Sequence, residues 1–316
     1  MSATTHSGAR TRVPSMRRPS PALLLLGAGL VLWGYLGLVT LWSPSTVGIA
    51  VWAVLGAFLV PTALVLALAR RASSPVLPRA VLLRAMLLGG VLAAALGGPV
   101  LDALQTAVPS PFLGFLLASA SQQAILAVLM VAIAWRLPRT GRVGRYVGAA
   151  VGAGYAGFAA LGAILEAHTA FGSRPLPAAV GNPMLIEAGV TLQSAVLAPV
   201  GYPVWTALLG SALLAALNRA SGARPPLKVA AALAFVVLTD TVVHAGFVVT
   251  GGVLGTSSTA LIVQTFAALA LSLPAALVLR SLGRRESGRI AVLAITEPAT
   301  LEPAVARLVA AQAGGA

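Results

Sequence analysis

Seven runs of about 20 apolar residues, with arginine gathered in alternate connections between them, leave this chain few ways to fold. They are Ala22 to Trp42, Val47 to Ala69, Ala85 to Leu101, Phe112 to Trp135, Tyr146 to Leu165, Val229 to Val249 and Thr259 to Leu279. Each has the length that a helix rising about 1.5 Å per residue needs to cross a hydrocarbon core of roughly 30 Å. Inside a bilayer each backbone N–H and C=O must be satisfied within the segment, which makes such runs helical. An eighth stretch, Met184 to Leu217, is too long for one ordinary crossing and carries Pro199, Gly201 and Pro203 near its middle. Proline removes a backbone donor there, so the stretch reads as a broken or extended sixth helix. The expected fold is all-α, a polytopic transmembrane helical bundle of about eight membrane-spanning helices.

Composition excludes the soluble classes. Of 316 residues, 58% are hydrophobic and only 9% charged, so the bulk of the chain cannot be dissolved in water. A net charge of +14 would point to nucleic acid in a soluble protein. Here the basic residues sit between apolar runs, which makes the lipid bilayer the expected partner and nucleic acid an unexpected one. The chain has no cysteine, which excludes disulfides, iron–sulfur clusters, thiolate zinc sites and a cysteine nucleophile. With His6, His168 and His244 as its only histidines, neither a metal site nor a cofactor is expected.

Arginine placement sets the expected orientation, because basic residues in short loops stay cytoplasmic. Arg10, Arg12, Arg17 and Arg18 precede the first run; Arg70, Arg71 and Arg79 follow the second; Arg136, Arg139, Arg142 and Arg145 follow the fourth. Arg219, Arg224 and Lys228 mark a further inside loop, and Arg280, Arg284, Arg285 and Arg289 follow the last run. Arg174 alone breaks the alternation, so the pattern favours eight crossings with both termini cytoplasmic. Residues 1–20 are then a basic tail leading into a retained signal anchor, 21–280 the transmembrane domain, and 281–316 a flexible cytoplasmic tail. Lys228 is the only lysine among 21 basic residues, a bias typical of a GC-rich genome and hence of a bacterial plasma membrane.

Polar side chains at membrane depth cost on the order of 2.5–3.5 kcal/mol each when charged, and they mark candidate sites. Gln122 and Gln123 lie mid-way along the fourth run, Glu166 ends the fifth, and Glu187, Gln193, Ser194, Tyr202 and Thr206 lie along the broken sixth. Asp240 and His244 are four apart in the seventh, on one helix face, where a carboxylate would fix the imidazole tautomer. Such a pair serves equally well as glue between helices. The adjacent glutamines point about 100° apart and suit bridging two neighbours better than lining one pocket. Gly148, Gly152, Ala156 and Ala160 flatten one face of the fifth helix for close approach and place it mid-bundle, with Phe158, Gly162 and Glu166 as a second stripe.

These residues resemble the PrsW-type glutamic intramembrane proteases, relatives of the CAAX-processing membrane peptidases. The family has a paired-glutamate helix, a glycine-rich helix with an F-x-x-x-E pattern, an H-x-x-x-T-like segment and a late histidine. SASQQA at Ser119 to Ala124, GYAGFAALG at Gly154 to Gly162, GYPVWTALLG at Gly201 to Gly210 and VVHAGF around His244 are similar frames in the same order, over about 101–249. The resemblance implies a glutamate that activates water within the bilayer, with polar groups stabilising an oxyanion. The chain departs from it in three frames: Gln122 and Gln123 stand for the glutamates, Gly162 for the glutamate after Phe158, and Tyr202 for histidine, while Thr206 and His244 remain. An amide cannot take a proton from water, and losing a general base removes about 10²–10⁴ of rate.

The leading expectation is a protein of this fold that binds transmembrane segments of other proteins without cutting them. An active protease using Glu166, Asp240 and His244 is the second. A small-solute transporter, suggested by the broken sixth helix, is the third, although no second broken segment marks an inverted repeat.

Overall fold

The computed structural model describes residues 20–43, 45–72, 77–172, 191–192, 201–218, 225–254 and 257–296; within these, the side chains of residues 41, 101, 102, 105, 111, 166–172, 225, 244–254, 257–264 and 285–296 are not covered. The described elements are all helical: α1 (Pro21–Trp42), α2 (Thr46–Ala72), α3 (Arg79–Arg84), a π turn (Ala85–Gly89), α4 (Gly90–Ala107), α5 (Pro111–Ile133), α6 (Gly141–Gly172), α7 (Tyr202–Ala216), α8 (Pro225–Leu254) and α9 (Ser257–Thr296). Local chemistry sets the starts. Ser20 Oγ accepts from Leu23 N at 3.2 Å with Pro21 behind it, and Ser110 Oγ accepts from Leu113 N at 3.4 Å with Pro111 in the same role. Each cap satisfies a donor that the helix itself leaves open, and proline loses nothing at a first helical position.

Seven helical spans are long and apolar enough to cross a bilayer, and the chain is a multi-pass membrane protein. One of them runs from Arg79 to Val100 through the π turn without a break. The remaining expected crossing, Met184 to Leu217, lies partly outside the described residues. Its described part, α7, has 15 residues and spans about 22 Å, short of a full crossing. The last helix does not stop at Leu279: it continues past Ser281, where a tail was expected to begin, as far as Thr296.

Close packing explains the central place of α6. A Cβ at Gly144, Gly148 or Gly152 would run into the backbone of α7 at Gly210, Thr206 and Tyr202 respectively. On another face, Gly154 lies against the backbone of Met86 and Gly90, and Gly157 lies against Phe58 of α2. The glycine stripe expected from sequence thus serves α7 at Gly148 and Gly152, while Ala160 packs with Ala53, Ala57 and Ile164 on the α2 side. Small residues let backbones meet where lipid gives no hydrophobic drive. The main core gathers Val65, Leu82, Leu126, Met130 and Leu209 from four elements around Val147 and Val151 of α6. In contrast, α1 is mostly exposed and packs mainly on α2 among the described elements, where Trp33 and Trp52 stack with centroids 5.3 Å apart.

The contacts also fix directions. As residue numbers rise along α6 from Gly141 to Gly152, their neighbours on α7 fall from Ala215 to Tyr202, so the two helices are antiparallel. Helix α5 enters α6 through a short connection and therefore runs parallel to α7. Arg145 Nη1 donates to Leu279 O at 3.3 Å, which brings the basic start of α6 beside the basic stretch of α9.

Candidate functional site

The one acidic side chain among those described, Asp240, is 2% exposed inside the bundle. It sits on α8, and Tyr202, the first residue of α7, donates its hydroxyl to Asp240 Oδ1 at 2.9 Å. Burying a carboxylate in an apolar medium is costly unless a donor faces it, and a phenol is a suitable one. Tyr155 of α6 closes the other side of Tyr202, ring edge to ring face, with centroids 4.7 Å apart at 85°. Trp205 meets Tyr202 at 5.2 Å and 68°, and its indole N–H donates to Ser272 Oγ of α9 at 2.9 Å. Four helices therefore converge on one aromatic and polar cluster.

Gln123 belongs at the same depth. It shares a face of α5 with Met130, two helical turns on. Met130 Sδ lies 3.0 Å from the Cβ position of Gly210 on α7, and stepping two turns back along parallel α7 from Gly210 leads to Pro203, next to Tyr202. Helix α5 also packs directly on α8, which carries Asp240. Gln123 is 0% exposed, and among the described residues neither its Oε1 nor its Nε2 has a hydrogen-bond partner. A buried amide without partners costs on the order of 1–3 kcal/mol.

The other residues singled out from sequence have distinct places. Gln122, turned away from Gln123, presses its Oε1 on Gly97 of α4, and its Nε2 has no hydrogen-bond partner among the described residues. The Thr206 hydroxyl bridges helices: its nearest acceptors are Gly148 O of α6 at 2.7 Å and Tyr202 O of its own helix at 2.6 Å. Phe158 packs edge-on to Phe58 of α2 with centroids 4.7 Å apart. Gly162 is exposed, with nothing within 4 Å of its Cβ position, and it lies about 10 Å further along α6 than Tyr155. The structure thus brings Tyr202, Asp240 and the level of Gln123 together, and leaves Phe158 and Gly162 against α2 and in the open. Glu166 and His244 are helical, on α6 and α8, but their side chains lie outside the described residues, as do Glu187, Gln193 and Ser194.

Sequence reasoning missed Tyr155, Trp205 and Ser272. Tyr155 had a signal: it is one of four tyrosines in the chain and falls mid-run, where a phenol seeks a partner. Trp205 and Ser272 had none, since their pairing joins helices 67 residues apart. Among the described residues no three His, Asp or Glu side chains gather, so the cluster offers hydrogen bonds and one carboxylate. No family model, no curated protein and no solved structure matches the chain.

Proposed function

We propose that this membrane protein holds a segment of another membrane protein against the level of Gln123, Tyr202 and Asp240, and does not cut it. The observation that carries this reading is the amide of Gln123, wholly buried and without a hydrogen-bond partner among the described residues. It offers a donor and an acceptor side by side, the complement of a peptide group or a polar side chain on an incoming segment. It cannot serve as a general base, and the Asp240 carboxylate is engaged by Tyr202. The resemblance to PrsW-type proteases agrees with this: the positions of the family's water-activating glutamates are held by Gln122 and Gln123. A plasma-membrane location, with both termini cytoplasmic, belongs to the same proposal.

The test uses liposomes holding the full-length protein, labelled with a donor fluorophore, and single-span peptides labelled with an acceptor. Energy transfer to a subset of peptides that are recovered intact is the expected result. Tyr202→Phe with Asp240→Asn is expected to weaken that binding about tenfold, equivalent to about 1.4 kcal/mol. Cleaved peptide, with cleavage lost in His244→Ala, would replace the reading by an active protease using Glu166, Asp240 and His244. Solute uptake without peptide binding would replace it by a transporter.

A further inference from the structure

Three polar side chains, one each from α6, α7 and α8, form a hydrogen-bonded chain with a fixed direction. Tyr202 donates its hydroxyl to Asp240 Oδ1 at 2.9 Å. A phenol has one proton, so with that proton committed to the carboxylate the Tyr202 oxygen can only accept. Tyr155 stands edge to face on Tyr202, with ring centroids 4.7 Å apart, and the two hydroxyls are hydrogen-bonded to each other. Tyr155 is therefore the donor of that bond, and its own oxygen keeps acceptor capacity alone.

Burial and packing support a role for that acceptor. Asp240 is 2% exposed, whereas Tyr202 and Tyr155 are half-buried, so the chain leads from two reachable phenols to a buried carboxylate. Hydrogen bonds in series polarise one another where the dielectric is low, and each phenol that donates toward the carboxylate becomes a better acceptor itself. The position of Tyr155 is also held from behind: Gly154 lies against the backbone of Met86 and Gly90, and no rotamer change relieves a contact between backbones. Tyr155 falls near the middle of the span from Gly141 to Leu165, far from either lipid boundary.

We infer that Tyr155 is the acceptor end of the candidate site, and that the segment held there carries a side chain donating a hydrogen bond at mid-membrane, of which a hydroxyl is the smallest. This rests on the reading that a membrane segment is held at this level, and it names the polar class of that segment. The donor belongs to a side chain because a regular membrane helix has its backbone N–H groups already satisfied. A group that only accepts, such as an ether, meets lone pairs on Tyr155 and gains nothing.

Two measurements on the full-length protein test this. The chain has four tyrosines, Tyr35, Tyr146, Tyr155 and Tyr202, so fluorotyrosine labelling in detergent micelles yields a fluorine NMR spectrum that single variants assign. Tyr155→Phe keeps the ring and loses the hydroxyl; it and Asp240→Asn are each expected to shift the resonance that Tyr202→Phe removes, and Tyr35→Phe to leave it in place. A Tyr202 resonance indifferent to Tyr155→Phe would overturn the chain. The second measurement is energy transfer in liposomes to single-span polyleucine peptides with a central serine, its O-methyl ether or alanine. The serine peptide is expected to bind about five-fold more tightly than the other two, from about 1 kcal/mol per hydrogen bond between membrane segments converted at about 1.4 kcal/mol per tenfold. Tyr155→Phe is expected to remove that advantage and Tyr146→Phe to preserve it. An ether that binds as well as serine, or a serine advantage kept in Tyr155→Phe, would overturn the donor requirement and leave the holding of segments standing. No binding of any peptide would overturn both.

Discussion

The Tyr202 hydroxyl faces Asp240 Oδ1 at 2.9 Å across the interface of α7 and α8, and this contact holds the one acidic side chain described at membrane depth. A double-mutant cycle on Tyr202→Phe and Asp240→Asn is expected to give a coupling energy of about 1 kcal/mol in detergent unfolding, the upper part of the range for hydrogen bonds between membrane helices. Additive effects would mean that the two groups do not interact.

The glycine face of α6 predicts a sharp positional contrast. A Cβ at Gly148 meets the Thr206 carbonyl and lies 3.1 Å from Ala207 Cα, and both are backbone atoms that cannot turn aside. Gly148→Ala is expected to destabilise by about 1–3 kcal/mol, the usual cost of overpacking. Gly162→Ala meets nothing within 4 Å and is expected to leave stability unchanged or raise it by up to about 1 kcal/mol through helix propensity. Thermal melting of the two variants side by side checks this, and a larger loss at Gly162 would contradict the packing.

Much of this was legible in sequence, for physical reasons. Apolar length decides the spans, because the bilayer admits little else, and the i, i+4 glycines of α6 decide its central place. The position of Gly148 was readable, but its partner was not: a stripe of small residues says that a backbone comes close and is silent on which one. Asp240 and Tyr202 were each visible as polar groups out of place, yet their pairing joins helices 38 residues apart and follows from packing alone. Thr206 was singled out by motif position, and the structure gives it a bridge between α6 and α7.

The same glycine face offers a covalent check, helped by the absence of native cysteine. The Cβ position of Gly141 is 3.8 Å from Ala215 Cβ, at the mean separation of disulfide-linked residues. Gly141→Cys with Ala215→Cys is expected to lose both free thiols on mild oxidation, as read by alkylation and mass. Retention of both thiols would contradict the antiparallel pairing of α6 with α7.

Gln123 links stability to function. Gln123→Leu removes an amide that has no partner among the described residues, at nearly constant volume, so it is expected to raise stability by about 1–3 kcal/mol while lowering the proposed peptide binding. A variant less stable than wild type would show that the amide already has a polar occupant.

The convergence of α5, α7 and α8 at one depth is the claim on which the candidate site rests, and a proximity measurement tests it most directly. Gln123→Cys and Pro203→Cys would be combined in a protein with an engineered protease site in the connection at 134–140, then treated in native membranes with a short bifunctional thiol reagent. The account predicts that the two fragments stay joined after proteolysis, and that they separate when either cysteine is omitted. Fragments that separate despite complete thiol modification would place Gln123 away from α7 and dissolve the site.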